Sequence, residues 1–238
     1  MSEIIDGVRG AMALLVGLDP ALLQILRLSL TISLSAALAA AVVGLPLGAV
    51  LATCEFPGRG LLILVANALL GLPPVVVGLA LYLALSRSGP LGELGLLFTP
   101  AAMVLAQFLL ALPIVAALSH RAMRAVWLSY GDEMRMDGLD ISHRIRHVLA
   151  IGRLGAVTAG LAGFGRSISE VGAILIVGGN IAGFTRTATT AITLETSEGH
   201  FGFALALGLV LVAISVAVSG AAFIIEARLR GAASWEFT

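Results

Sequence analysis

Five apolar runs, at residues 28–53, 61–85, 98–119, 154–177 and 202–226, constrain this chain more than any other feature. Each is long enough to cross a bilayer, since a helix needs about 20 apolar residues to span roughly 30 Å of hydrocarbon. Lipid offers no hydrogen bonds to a peptide group, so helices that satisfy their own backbone are the form expected for all five. The expected fold is an all-α polytopic membrane protein with about five transmembrane helices. Composition agrees, because 59% of the 238 residues are hydrophobic and only 12% are charged, too few to cover a soluble domain of this size. Before the first run, Asp6, Arg9 and Asp19 cut the apolar stretch into pieces too short to span. Glu3 and Asp6 stand where a signal peptide carries basic residues, so an interfacial helix is expected over residues 1–20. The body then covers residues 21–230, with a cytoplasmic loop at 120–153, and residues 231–238 form a tail.

Charge placement sets the orientation. The sequence has no lysine, and with the N-terminus outside, Arg59, Arg121, Arg124, Arg135, Arg144, Arg146, Arg153, Arg228 and Arg230 all fall on the cytoplasmic side. Arg9, Arg27, Arg87 and Arg186 then lie outside, so the positive-inside bias favours N-terminus out and C-terminus in. Formal net charge is zero, which gives no sign of a nucleic-acid partner. Cys54 is the single cysteine, which excludes an internal disulfide and any Cys-based metal spacing. There is no phosphate-binding GxxxxGK[ST], no HExxH and no GxSxG, so neither catalysis nor a bound metal or cofactor is expected of this chain.

Polar and helix-breaking residues inside the runs are informative. Pro46, Pro73, Pro74 and Pro113 each remove a helix hydrogen bond, and kinks are expected there. "SLTISLSAALAAA" and "GLAGFG" supply small residues that let helices approach closely. Arg166 and Glu170 sit near the centre of the fourth run, four apart and so on one face of a continuous helix. Each costs roughly 2.5–3.5 kcal/mol at the bilayer centre on insertion scales, so they are expected to face a bundle interior, a cavity or each other. Two roles stay open for them, a buried ion pair that fixes packing or a polar element lining a solute route. Residues 178–202, "GGNIAGFTRTATTAITLETSEGHFG", are either an outer loop with a short helix over "TATTAITLETS" or a set of oxyanion donors. Asn180, Thr185, Arg186 and Thr190 are the candidate donors in that second reading.

The densest charge lies in "DEMRMDGLDISHRIRHVLAIGRLG", residues 132–155. A short helix, a break at Gly138 and an amphipathic helix with Ile141, Ile145 and Val148 on one face fit its spacing. Such a helix is suited to lie on the membrane surface or to dock in a partner's groove. His143 and His147 are four apart, but no third ligand joins them, and a basic surface is the favoured reading.

Asp132-Glu133-Met134, Gly138, the amphipathic stretch after it and "GFGRSISEVGAILIVGGN" together resemble the "EAA" cytoplasmic loop and following helix in permease subunits of binding-protein-dependent ABC importers. The likeness covers roughly residues 25–228 and is greatest to the molybdate, sulfate and tungstate branch. "GGNIAGFTRTATTAITLETSEGHFGFALALG" is most similar to tungstate permeases. Asp132-Glu133-Met134 replaces the family's Glu-Ala-Ala, and Ala150-Ile151 stands where a Leu-Pro is frequent. The resemblance implies the type I ABC-importer permease fold in the cytoplasmic membrane of a bacterium or archaeon. It also implies a pathway formed with a second copy of the chain, and two cytoplasmic ATPase subunits that bind ATP and Mg. A periplasmic or lipid-anchored binding protein would deliver the oxyanion, tungstate first and molybdate or sulfate as alternatives. Asp132, Glu133, Gly138, Ile141 and Ile145 are the implied ATPase-coupling residues. Arg166, Glu170, Asn180, Thr185, Arg186 and Thr190 are the candidates for the pathway or its gate. A more distant alternative is a proton-coupled secondary transporter using Glu170.

Overall fold

The structure is a computed structural model that describes residues 19–233, together with Val8, Met12, Ala13, Val16 and Gly17. Side chains are described through Ala221 and at Ile224. The expected interfacial segment 1–20 and the end of the tail at 234–238 therefore lie largely outside the described residues. Among the described residues every regular element is helical: α1 Pro20–Thr53, α2 Arg59–Ala68, α3 Pro74–Leu85, α4 Pro100–Met136, α5 Ile141–Ile151, α6 Arg153–Ile168, α7 Gly172–Gly178, α8 Ala188–Ser197 and α9 Phe201–Ala233.

Three helices are long and apolar enough to cross a membrane alone: α1, α4 and the Phe201–Ala221 part of α9. The number reaches five only if each of two bent pairs is counted as one span, α2 with α3 at 104° and α5 with α6 at 79°. The second expected span is thus a broken one. Its break follows from Pro73 and Pro74, because neither has an N–H to donate, Pro73 holds Leu72 extended at ψ 121° and Pro74 holds Pro73 extended at ψ 123°. Pro46 and Pro113, by contrast, sit inside continuous helices. The helix that opens the chain's described part starts at a clear signal. Asp19 Oδ1 accepts from the Ala21 and Leu22 amides at 2.9 and 3.0 Å, and Pro20 occupies the first helical position, where no donor is lost.

The fourth expected span, residues 154–177, is not one helix. α6 ends at Ile168 and α7 begins at Gly172, so Arg166 and Glu170 do not share the face of a continuous helix. Backbone groups at the break find other partners: the Glu170 carbonyl accepts from Thr189 Oγ1 at 2.8 Å, and the Glu170 carboxylate accepts from the Ala173 amide at 3.0 Å. A carboxylate four residues after Arg166 thereby competes with the helix instead of decorating it.

The chain divides into two compact units. One comprises Met1–Ala36, Pro73–Gln107 and Ser167–Ala217; the other comprises Ala37–Leu72, Phe108–Arg166 and Val218–Thr238. In the first unit, Leu22, Ile25 and Leu26 of α1 pack with Ala188 and Ala191 of α8 and Ala206 and Leu207 of α9. Ser29 Oγ accepts from the Ala188 amide at 2.7 Å, which satisfies a donor at the start of α8. α3 lies against α7 closely enough that a Cβ on Gly78 would stand 2.8 Å from the Ala173 Cα. In the second unit, one core joins Ala40, Ala111, Val115 and Ala159, and another joins Ala49, Ala52, Met123, Trp127, Met134 and Val148.

Small residues set the α1–α4 approach in the second unit. A Cβ on Gly48 would lie 2.5 Å from Ser119 Cβ and 2.6 Å from the His120 amide nitrogen. Ser119 Oγ uses that closeness to donate to the Leu45 carbonyl at 3.0 Å. Overpacking of this kind costs typically about 1–3 kcal/mol. Gly48→Ala is therefore expected to lower the thermal unfolding temperature of the purified protein, whereas Gly60→Ala, with nothing within 4 Å of the added Cβ, leaves it unchanged.

Candidate functional site

The central charged stretch builds a one-sided helix. Asp132 and Glu133 are not on a separate short helix, as the spacing suggested, but in the last turns of the 37-residue α4, so they ride on a helix rooted among the apolar spans. Met134, which stands at the last position of the Glu-Ala-Ala pattern, is buried at 6% exposure against Trp127 and Val148, which explains an apolar residue there. Gly138 ends the connection with φ +66°, a left-handed conformation that L side chains rarely adopt.

α5 starts at Asp140, whose carboxylate accepts from the His143 amide at 3.3 Å and from Ser142 Oγ at 2.8 Å and also meets the His143 ring. The cap was legible in "DISH", though sequence reasoning passed over it. Val148 is fully buried and Ile145 half-buried in the core with Met123 and Trp127. Ile141 is 57% exposed, so the expected face of three residues divides: two anchor the helix and the third points outward. Full burial of a valine is worth roughly 1.5–3 kcal/mol, enough to fix the helix against α4. Arg144 Nε donates to the Leu139 carbonyl at 2.6 Å, and Arg135 both pairs with Asp132 at 3.2 Å and lies 5.2 Å from the Trp127 ring centre. At the far end Gly152 turns the chain into α6, and a Cβ there would meet Met123 Sδ at 2.7 Å. What results is a short helix held on one side and presenting Ile141, Arg146 and His147 on the other.

The second candidate site runs from Glu170 to Glu195 in the first unit. Glu170 is 2% exposed, in the break between α6 and α7. Arg166 is half-buried in the last turn of α6. α7 ends in two successive left-handed residues, Gly179 at φ +71° and Asn180 at φ +50°. The loop that follows is closed by Thr185, whose hydroxyl donates to the Gly178 carbonyl at 2.6 Å and accepts from the Ile181 amide at 2.9 Å. Thr190 lies in the first turn of α8 and exchanges hydrogen bonds with Thr187 as a reciprocal cap. The hydroxyls of Thr185 and Thr190 thus serve the backbone.

Asn180 and Arg186 differ. Asn180 Oδ1 and Arg186 Nε are buried with no hydrogen-bond partner among the described residues, while the Arg186 guanidinium stands 3.9 Å from Glu195. Glu195 also meets His200 at 3.0 Å. Sequence reasoning missed Gln107, 2% exposed, whose amide donates to the Ser167 carbonyl at 2.9 Å beside the helix break. Its signal was a lone amide inside the apolar run "MVLAQFLLAL".

A broken-helix membrane body with a one-sided surface helix between two spans is the architecture of a transport component. The chain matches the family described as "Binding-protein-dependent transport system inner membrane component" over residues 44–231, and it belongs to that family. It is a multi-pass membrane permease subunit of an ABC transporter and not an enzyme. It is 44% identical over 184 residues to a probable anion ABC transporter permease of Haloferax volcanii, covering 75% of this chain and 79% of the relative. It is 38% identical over 234 residues to the tungstate uptake system permease TupB of Peptoclostridium acidaminophilum, covering 95% and 99%. Similarity extends to the molybdenum transport permease ModB of Azotobacter vinelandii, 30% identical over 194 residues.

Two measurements test the geometry. Hydrogen bonds from the His143 ring and Ser142 hold the Asp140 carboxyl down at about 2, against an ordinary 3.8. A depressed carboxylate contributes stability above its unfolded value, and that contribution is lost as pH falls from about 3.8 through about 2. Protection of the first-turn amides of α5 against exchange, relative to a free peptide at the same pH, is therefore expected to fall over that window in the wild type and to be low at all pH in Asp140→Ala. Thr185→Val keeps the shape but strands a buried carbonyl and amide, so a loss of about 1–3 kcal/mol is expected in thermal unfolding, with exchange rising at Ile181.

Proposed function

We propose that this chain is the permease of an ATP-driven importer for an oxyanion, tungstate before molybdate or sulfate. In this reading two copies form the pathway, and two ATPase subunits, which handle ATP and Mg, each take one α5 into a surface groove. A separate binding protein delivers the anion on the opposite side. The N-terminus lies outside and the C-terminus in the cytoplasm, as the arginine bias favours. Similarity to a tungstate permease along almost the whole chain supports the substrate class. The observation that carries the coupling role is the one-sidedness of α5: Val148 buried, Ile141 exposed.

Mechanically, α5 is a handle. Because Ile145 and Val148 seat it on α4 and Gly152 joins it to α6, a displacement of α5 by the ATPases moves both helices as a packed body. Asp132 and Glu133 flank the same surface and would orient the docked partner, and Gly138 sets the angle at which α5 leaves α4. On the other side, the amide of Asn180 and the guanidinium of Arg186 offer donors suited to a tetrahedral oxyanion, with Arg166 and Glu170 at the helix break as gate elements. Thr185 and Thr190 act there by shaping the loop that holds Asn180 and Arg186.

Co-purification and proteoliposome uptake test the proposal. Ile141→Asp is expected to fold as the wild type while weakening ATPase association about 30-fold, the scale of an interface anchor worth about 2 kcal/mol. Gly138→Val is expected to leave ATPase binding partly intact and to uncouple hydrolysis from uptake. Wild-type association and uptake by Ile141→Asp would remove α5 from the coupling role. With the binding protein and ATPase present, labelled tungstate uptake should be competed by molybdate more weakly than by tungstate; saturation by sulfate alone would reassign the substrate.

A further inference from the structure

Where α1 ends, in the second unit, basic side chains gather; Glu55 follows two residues after the helix and is exposed, with no ion pair to any of them. Arg59 Nε donates to the Leu51 carbonyl at 2.7 Å and Arg124 Nη1 to the Ala52 carbonyl at 3.2 Å. Both therefore cap the last turn of α1, where the helix dipole is negative. Arg121 Nη2 donates to Asn67 Oδ1 at 2.7 Å. His120 lies within electrostatic reach of all three arginines, and its Nε2 is buried without a hydrogen-bond partner among the described residues. No carboxylate among the described residues pairs with Arg59, Arg121 or Arg124. Each guanidinium carries five N–H donors, so most remain for an anion.

An apolar groove of about 240 Å³ adjoins this cluster, lined by Leu47, Leu51, Leu62, Val65, Leu112 and Ala116 among others. Three residues tie the two features together. Leu51 lines the groove while its carbonyl holds Arg59; Ala66, also in the lining, precedes Asn67; and Ala116 lies one helical turn before His120. Leu62 and Val65 are 48% and 42% exposed, so the groove opens on the outer surface of the unit. The ligand that fits is amphipathic, with a negative head and an apolar tail. An acidic protein surface answers the cations but leaves the groove bare.

We propose that this is a binding site for an anionic phospholipid, with its phosphate held by Arg59, Arg121 and Arg124 and an acyl chain along the groove. The proposal rests on the orientation given above only in assigning the lipid to the cytoplasmic leaflet. The full chain in neutral detergent, offered equal amounts of phosphatidylglycerol and phosphatidylcholine with identical chains, should retain phosphatidylglycerol preferentially by native mass spectrometry. Arg121→Gln, at an exposed position, should cut that retention about fivefold. Val65→Trp, which fills the groove from its exposed rim, should cut retention of both lipids. Equal retention of the two lipids by the wild type would overturn the proposal. So would wild-type phosphatidylglycerol retention by both variants, or a Val65→Trp variant that changes self-association and not lipid binding. Thermal unfolding verifies that both variants fold. Because no transport is read, failure here leaves the importer reading intact, and failed tungstate uptake leaves the lipid site standing.

Discussion

A peptide group in hydrocarbon has no water to turn to, and this constraint governs the whole molecule. It makes the apolar runs helical and leaves every interruption in need of local partners. The interruptions here have them: Thr189 and the Glu170 carboxylate at the α6–α7 break, Thr185 in the loop after α7, Ser29 at the start of α8. The polar residues of the spans are thus largely backbone partners. Gln107 Oε1, His120 Nε2, Asn180 Oδ1 and Arg186 Nε are buried atoms with no such partner among the described residues, and of these Arg186 Nε is a donor suited to an anion.

The same economy shapes the surface helix. α5 is too short, at 11 residues, to be stable by propensity alone, and it is held by burial of Val148, by the Asp140 cap and by the Gly152 corner against Met123. Rigid attachment on one face frees the other face for a partner. A helix that floated on the membrane could transmit no displacement, and the packing of Val148 against Met123 and Trp127 ties α5 to α4 as the proposed coupling role requires.

Much of the fold was legible in the chain. Apolar run length and the lack of charge marked an all-helical, multi-pass membrane protein, because the bilayer's thickness fixes helix length, and three helices are long and apolar enough to cross alone. The short helix over residues 188–197 and the turn at Gly138 were also readable from residue type. The proposed coupling residues follow from a family pattern, which groups Ile141 and Ile145 on one face. The small angular difference that buries one and exposes the other depends on where Met123 and Trp127 sit. Gln107 escaped notice and Ser29 was read only as a small packing residue, because an isolated amide or hydroxyl in an apolar run acquires meaning only from the carbonyl or amide that folding brings to it.

By itself the sequence determined class and family, since these follow from hydropathy and motif spacing along one dimension. Only the tertiary structure decided that residues 154–177 break at Glu170, that Pro73 and Pro74 produce a 104° bend while Pro46 and Pro113 are carried inside helices, and which side of α5 is free. These outcomes turn on competition for single backbone groups between residues distant in the chain, as when Thr189 takes the Glu170 carbonyl. No local pattern records which competitor wins.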